Sequence, residues 1–354
     1  MGVSERRLRD LRLSAQLLAG TPARSPEQVA GRLLAVQAQN LRSARLAIRA
    51  RTRGLGVSDV HRALDDRDIV ISWLMRGTLH LVCRDDLWWL HGLSAPTLRQ
   101  AVTRRLEMEG VPPKRAPKAV AAIEAMLTDG PLTRREVAEQ LDARGVPVPA
   151  EALVHVLFLA TLDGIAVRGP MAGMQQRFVA AEDWLGERPP THLQGEQRER
   201  ALAELARRYL AGHGPATDVD LAYWAGLPLR DARAGLRSIG GELDELGDGL
   251  VALAKPRRSA PSSLPARLLP SFDPYLVGWK GYAHAMPAER VGDVARGGMI
   301  GAVAMVDGSA VGTWSAHRKG ASANVEIQWW REVAEADRAA LAAEAADVDR
   351  FERS

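Results

Sequence analysis

Two glutamines, Gln37 and Gln39, are the side chains whose type and spacing first suggest chemistry. They lie in residues 33–40, with the sequence LLAVQAQN, where an apolar run passes directly into amides. A carboxamide is too weak a base to deprotonate water at neutral pH, but it offers two N–H donors and an acceptor, enough to orient one water molecule. The alternative is structural, because a buried amide usually hydrogen-bonds a neighbouring backbone group.

The spacing of the two glutamines restricts how they can act together. Val29, Leu33 and Gln37 are four residues apart, so a helix predicted over residues 26–36 would, if continued, bury Gln37 on its apolar face. Positions i and i+2 point about 200° apart on a helix but to the same side of an extended segment. For both amides to face one ligand, we expect the helix to end or distort near residues 36–40.

The segment around the glutamines is basic. Residues 28–58 contain six arginines and no acidic residue. If residues 41–50 are helical, Arg42, Arg45 and Arg49 share one face, and each guanidinium can fork onto the phosphate oxygens of DNA. A solvated basic face is the alternative in a chain with 42 Arg and only five Lys.

Two further groups of residues are weaker candidates for DNA binding. Arg76 and His80 follow a predicted strand, and otherwise serve as polar groups of a turn and the core. The second group lies at and behind the tip of a predicted C-terminal hairpin, which could probe a groove or wedge into a duplex, or simply be solvated. Its members are Trp314, His317, Arg318 and Lys319.

Composition excludes several other chemistries. The single cysteine, Cys83, excludes disulfide frameworks and cysteine-based metal clusters, and the eight histidines form no metalloenzyme signature. We therefore expect neither a metal nor a cofactor. The first lysine is Lys114, which argues against a Schiff-base lyase. With no apolar run of about 18 residues and a polar N-terminus, a cytoplasmic, nucleoid-associated protein is expected.

A repeat organises the chain. Residues 130–138 (GPLTRREVA) reappear as residues 214–222 (GPATDVDLA), each with a helix before it, a Thr that caps a short helix, a third helix and two short strands. This is the order of a winged helix-turn-helix. A third, looser copy fits the N-terminus, where an insertion containing the glutamines separates the second and third helices.

The C-terminal part has a different pattern. Asp307 and Gly308, flanked by strand residues, predict a hairpin, and an Ala-rich acidic helix is expected over residues 332–350. Asp273 is expected to cap or turn the backbone. We predict an α+β protein with winged helix 1 and its insertion at residues 1–110, winged helix 2 at 111–190, winged helix 3 at 191–258, and a C-terminal β element, a small barrel or sheet, with a terminal helix at 264–354.

The chain resembles the AlkZ/YcaQ-type winged-helix DNA glycosylases over essentially its whole length. The matching segments are residues 33–40, 73–80 (WLMRGTLH), 216–228 (ATDVDLAYWAGLP) and 269–276 (LPSFDPYL). The resemblance implies that Gln37 and Gln39 are the catalytic residues of a Gln-x-Gln motif, as in the AlkZ branch. It also implies three tandem winged helices in a C-shaped arrangement, followed by the barrel.

The resemblance further implies a monofunctional DNA glycosylase that releases bulky N-alkylated purines, including interstrand crosslinks, from double-stranded DNA. Its role would be base excision repair or self-resistance to a DNA-alkylating natural product. Such purines are cationic and leave as neutral molecules without a strong general acid, so positioning a water is the main requirement. The lack of acids in residues 28–58 predicts poor activity on neutral bases such as uracil.

The main alternative is a non-enzymatic winged-helix transcriptional regulator, which would typically be a symmetric dimer that contacts two half-sites. Three fused units of unlike sequence favour a monomer instead. A weaker alternative is an interaction module for repair complexes.

Overall fold

The computed structural model describes residues 3–173, 175–186, 192–254, 264–319 and 322–354 and contains both helices and strands. The chain divides into two compact units. Unit one comprises residues 1–60 and 202–354, and unit two comprises residues 61–201.

The helices of the described residues are α1 (Glu5–Ala15), α2 (Pro26–Leu33), α3 (Leu41–Arg49), α4 (Val57–Asp65), α5 (Arg84–Met108), α6 (Arg115–Leu127), α7 (Arg134–Ala143), α8 (Leu153–Leu162), α9 (Ala181–Leu185), α10 (Gly195–His213), α11 (Asp218–Ala225), α12 (Leu229–Ser238), α13 (Pro274–Val277), α14 (Val291–Val294) and α15 (Glu335–Arg353). The strands are β1 (Val36–Gln37), β2 (Ile69–Leu74), β3 (Thr78–Cys83), β4 (Ala166–Ala172), β5 (Gln175–Ala180), β6 (Leu243–Glu245), β7 (Val251–Leu253), β8 (Arg267–Leu269), β9 (Ala295–Arg296), β10 (Met299–Ile300), β11 (Val303–Val306), β12 (Ser309–Lys319) and β13 (Ser322–Trp329).

Unit two is built from two antiparallel hairpins, β2–β3 and β4–β5, packed with α5, α6 and α8. Its core contains an aromatic cluster in which Trp73 stacks on Phe158 and Phe178, with ring centroids 5.0 and 6.4 Å away. These rings come from β2, α8 and β5. Apolar burial therefore joins both hairpins to the helices.

The repeated order of three helices and a hairpin is observed at both places that the sequence predicted. It comprises α6, α7, α8 and β4–β5 in one copy, and α10, α11, α12 and β6–β7 in the other. Thr133 and Thr217 form capping boxes at the starts of α7 and α11. The residue before each Thr forms a β-bridge to the hairpin, Leu132 to Phe178 and Ala216 to Val251. Whether these units work as winged helices stays a prediction.

The C-terminal part corrects the expectation of a β-barrel. Among the described residues, the main sheet has four antiparallel strands in the order β13-β12-β11-β8 and does not close on itself. Within the described ranges, its short edge strand β8 pairs with β11 alone. Asp307 and Gly308 form the predicted turn, both with positive φ, as a tight hairpin turn requires. The acidic helix α15 packs on β8, β13 and α3.

A buried ion pair joins distant parts of unit one. Arg51 and Asp273 are fully buried, and their two parallel hydrogen bonds measure 2.9 and 2.7 Å. The other donors of the Arg51 guanidinium reach the Gln16 carbonyl, the Gln16 side-chain oxygen and the Ala47 carbonyl, each at 2.9 Å. All five N–H groups are therefore satisfied, as a buried guanidinium requires. Asp273 also accepts from the Tyr275 N–H at the start of α13, as a cap.

Replacing Asp273 by Asn is expected to lower the free energy of unfolding by about 3–5 kcal/mol, because the guanidinium of Arg51 stays buried without its counter-charge. Urea titration followed by circular dichroism measures the loss. Asp307→Asn, at an exposed turn, is the matched control and should change stability by less than about 0.5 kcal/mol. A loss of under about 1 kcal/mol for Asp273→Asn would show that the pair is not a main support of the fold.

Candidate active site

The segment that carries the two glutamines, residues 34–40, is called the glutamine segment and is not helical. Helix α2 ends at Leu33, and Leu34 takes a positive φ of 64° that no continuing helix can adopt. The chain then runs through the short strand β1 and bends at Gln39. Asn40 closes the segment by accepting a hydrogen bond from the Ser43 N–H at 3.1 Å, which caps α3. The helix thus ends three residues earlier than the predicted residue 36, and the expected break before the glutamines is present.

Leu34 is fully buried, although a bulky side chain rarely adopts positive φ. Such a conformation costs on the order of 1–3 kcal/mol and persists only where the surroundings enforce it. Backbone strain of this kind is common at functional sites.

The two glutamines lie in different environments. Gln37 is 8% exposed, and no hydrogen bond from its carboxamide to another described residue is found. Gln39 is exposed at the bend. Gln37 is buried because it belongs to β1, and not because it continues the apolar face of α2. A mostly buried amide without a protein partner retains two donors and an acceptor for a water or a substrate.

Helix α10 holds the end of α2 that leads into this segment. A Cβ atom at Gly212 would lie 2.5 Å from the Arg32 carbonyl oxygen and 3.1 Å from the Leu33 Cα, so only glycine allows this approach. Arg208 donates to the Gly31 carbonyl at 2.9 Å. This places a cation at the C-terminus of α2, where carbonyl groups lack helical partners. The start of the glutamine segment is therefore anchored by backbone contacts.

The predicted arginine stripe is helical but faces α15. Arg49 is buried and donates to Glu344 and Asp347 of α15, at 2.9 and 3.1 Å, and to the Leu268 carbonyl at 3.0 Å. Arg42 makes a two-pronged ion pair with Glu352, at 2.5 and 2.9 Å, and this contact raises the pKa of Arg42.

Arg45 is also buried, and burial lowers the pKa of its guanidinium. The stripe is therefore largely an intramolecular interface, which corrects the expectation of an unopposed basic face. The negative charges that oppose it come from a helix about 300 residues away in the sequence, so the composition of residues 28–58 could not show them.

Arg76 and His80 lie on unit two. Arg76 is partly exposed at the turn between β2 and β3, whereas His80 is buried and its Nδ1 lies 2.9 Å from the Thr78 carbonyl oxygen. Burial, together with the charge of Arg76, lowers the pKa of His80 to about 3. His80 is therefore a neutral core group and does not support the expected DNA contact.

The C-terminal hairpin projects past its sheet. Strand β11 pairs with β12 only as far as Thr313, while β12 continues to pair with β13 up to Lys319. His317 is exposed on this projecting ribbon. Trp314 is buried and donates its indole N–H to the Leu269 carbonyl at 2.7 Å, so it anchors the ribbon and is not free to wedge into DNA.

The tip of this ribbon is described only in part. The backbones of Arg318 and Lys319 belong to β12, but their side chains, like the whole of residues 320–321, lie outside the described part of the chain. Elsewhere in the described chain, no group of three or more His, Cys, Asp or Glu could hold a metal ion. Nor is any described helix both long and apolar enough to cross a membrane.

Comparison with known proteins relates the whole chain to one family of enzymes. The sequence profile of the family described as DNA glycosylase AlkZ-like matches residues 30–351. A protein of Streptomyces sahachiroi, described as an interstrand DNA cross-link repair glycosylase, is 28% identical over 338 residues, covering 89% of this chain and 88% of the relative. The solved structure of the Streptomyces sahachiroi DNA glycosylase AlkZ matches with a TM-score of 0.77 and 25% identity, covering 99% of this chain and 97% of that chain.

The fold and the family match thus define a DNA glycosylase, an enzyme of the class that hydrolyses N-glycosyl bonds. The chain belongs to the AlkZ-like family of DNA glycosylases, which confirms the resemblance noted in the sequence. Its partner is therefore DNA.

His80 should make stability depend on pH. Its folded pKa of about 3 lies below the ordinary value of 6.5. Between these values the unfolded chain binds a proton that the folded chain does not, so stability is lost as the pH falls from about 6.5. His80→Asn should reduce the loss between pH 7 and pH 5 by about 2 kcal/mol.

Urea titrations of the wild type and the variant at both pH values measure this difference. His317→Asn, which alters an exposed histidine, serves as the control and should preserve the pH dependence of the wild type. The same pH dependence in His80→Asn as in the wild type would contradict the assignment of His80 as a buried neutral group.

Proposed function

We propose that this protein is a monofunctional DNA glycosylase that hydrolyses the N-glycosidic bond of bulky N-alkylated purines, including interstrand crosslinks. The observation that carries the proposal is the mostly buried carboxamide of Gln37, which has no partner among the described residues and lies three residues beyond a strained break at Leu34. The crosslink substrate is supported by the Streptomyces sahachiroi relative, which is an interstrand DNA cross-link repair glycosylase.

Gln37 and Gln39 divide the catalytic task in this proposal. Gln37, held in β1, orients the attacking water or stabilises positive charge that develops on the sugar. Gln39, exposed at the bend, contacts the substrate at the entrance of the site. Neither amide needs to remove a proton from an unactivated water, because a cationic purine already has a weakened glycosidic bond.

DNA contacts are proposed for a smaller set of basic residues than the sequence suggested. Arg42 is 44% exposed at its side chain and reaches phosphate if it exchanges Glu352 for DNA. Arg76 and the ribbon residues His317, Arg318 and Lys319 complete this set. Arg45 and Arg49 instead position α3, and through its N-terminus the glutamine segment.

The finer architecture is part of the same proposal. We propose three winged helices at residues 1–110, 111–190 and 191–258, followed by the C-terminal sheet and helix. The protein would act as a monomer on double-stranded DNA, in the cytoplasm at the nucleoid. Base excision repair or self-resistance to a DNA-alkylating natural product is the proposed role.

Gln37→Ala is expected to slow the release of an N7-alkylguanine from duplex DNA by about 100-fold, with a smaller loss for Gln39→Ala. Single-turnover base release measures the rate, and retained duplex binding separates chemistry from affinity. Gln100→Ala, which alters an exposed glutamine of α5, is the matched control and should leave release unchanged. Duplex binding by the wild type without release of either a simple adduct or a crosslink would favour the transcriptional regulator.

The substrate range should be narrow. Release of uracil, a neutral base, should be undetectable under conditions that release an N7-alkylguanine, since the amides of Gln37 and Gln39 are too weak as bases to activate water. Robust excision of uracil by the wild type, lost in Gln37→Ala, would contradict the reliance on a cationic leaving group.

A further inference from the structure

An arginine without an ion-pair partner among the described residues lies on the aromatic cluster of unit two. Arg168 is opposite Phe178 in the β4–β5 ladder. Its guanidinium carbon lies 4.4 Å from the centroid of the Phe178 ring and 5.1 Å from that of Trp73. The side chain is only partly exposed, so the guanidinium is fixed against two rings at the edge of the core.

Arg168 differs from the buried arginines of unit one in having no counter-charge. Arg49 and Arg51 each bind carboxylates, whereas no carboxylate or hydrogen-bond acceptor for Arg168 is found among the described residues, and its Nε is buried without a partner. Burial and the nearby charge of Arg134 lower the pKa of Arg168 to about 10, so it remains a cation at neutral pH. A desolvated cation beside a second cation is unfavourable unless an anion joins them.

Arg134 supplies the second cation. It lies two residues after Leu132, which forms a β-bridge to Phe178, the ladder partner of Arg168. It lies in the first turn of α7, where the helix dipole disfavours positive charge. Its Nη2 donates to the Ala150 carbonyl at 2.7 Å, which restrains the side chain, although the residue remains exposed. Glu136 in the same turn accepts from the Thr133 N–H at 2.7 Å and is engaged in the capping box. Two restrained guanidinium groups can together bind a phosphate through charge-assisted hydrogen bonds.

We propose that Arg168 and Arg134 bind a backbone phosphate of the DNA on the face of unit two that carries the β4–β5 hairpin. This site rests on the proposed function, in which DNA is the substrate, and adds a contact outside the basic segment around the glutamines. The aromatic rings fix the guanidinium in place, so little conformational entropy is lost when the phosphate binds.

Arg168→Met tests the site because Met retains apolar volume over the rings and removes the charge. Binding to a short undamaged duplex is measured across a series of NaCl concentrations. The affinity at low salt should fall by about tenfold, and the slope of log K against log salt should become shallower by about one. The melting temperature of the free protein should stay the same or rise, since an uncompensated cation is removed.

Arg134→Met, at an exposed position, should make the slope of log K against log salt shallower by the same amount. This variant tests the phosphate site if Arg168→Met folds poorly. Arg104→Met, on an exposed part of α5, removes an equal charge from the same unit and should leave the slope unchanged. An unchanged slope in Arg168→Met and Arg134→Met, or a lowered melting temperature with unchanged duplex affinity, would overturn the proposal and make Arg168 a structural cation.

An additional measurement distinguishes a site for free inorganic phosphate from a site for a DNA phosphate. If inorganic phosphate at constant ionic strength stabilises the wild type but not Arg168→Met, while duplex affinity is equal in both, the site binds a small anion and the DNA assignment fails. Base release by the wild type is measured in parallel. Release with an unaltered salt slope in the variants overturns only this inference, whereas a wild type that neither binds DNA nor releases a base overturns the proposed function as well.

Discussion

The buried pair of Arg51 and Asp273 is the constraint on which the arrangement of unit one depends. One guanidinium connects the end of α1, the end of α3 and the start of α13, and all five of its donors are used. Gln16, which accepts from Arg51, also donates to the Gly212 carbonyl of α10, and α10 lies directly against the end of α2. The two helices that border the glutamine segment are therefore held by one connected network of buried polar groups.

This support bears on the catalytic role that we propose for the two glutamines. An amide cannot match a carboxylate as a base, so its contribution depends on being held in one position. The positive φ of Leu34 directs the chain out of α2, and six residues later Asn40 caps the start of α3. The intervening residues have little freedom, because a strained turn precedes them and a cap follows. For a substrate with a labile bond, precise placement of a water replaces strong acid–base chemistry.

Some arginines of this protein form ion pairs within the fold and others do not, and composition alone does not show which. Two arginines of α3, Arg42 and Arg49, bind carboxylates of α15. These contacts join the chain's basic beginning to its acidic end and stabilise α3. Arg168 has no such counter-charge among the described residues and lies on aromatic rings instead. The net charge of a segment therefore says little about which cations remain available to DNA, since pairing within the fold comes first.

Local patterns in the sequence determined the elements and the family. Thr133, Thr217 and the Asp307-Gly308 turn have short-range causes, namely caps and positive φ, so the repeated order of helices and hairpins was predictable. Four short segments, residues 33–40, 73–80, 216–228 and 269–276, together indicated the family in the same way. Tertiary structure alone decided that α2 stops at Leu33, because leucine itself favours helix. It also decided that Trp314 is a buried anchor and that the C-terminal sheet stays open. It also decided which arginines are paired, since Arg42 and Glu352 are 310 residues apart and only folding brings such charges together.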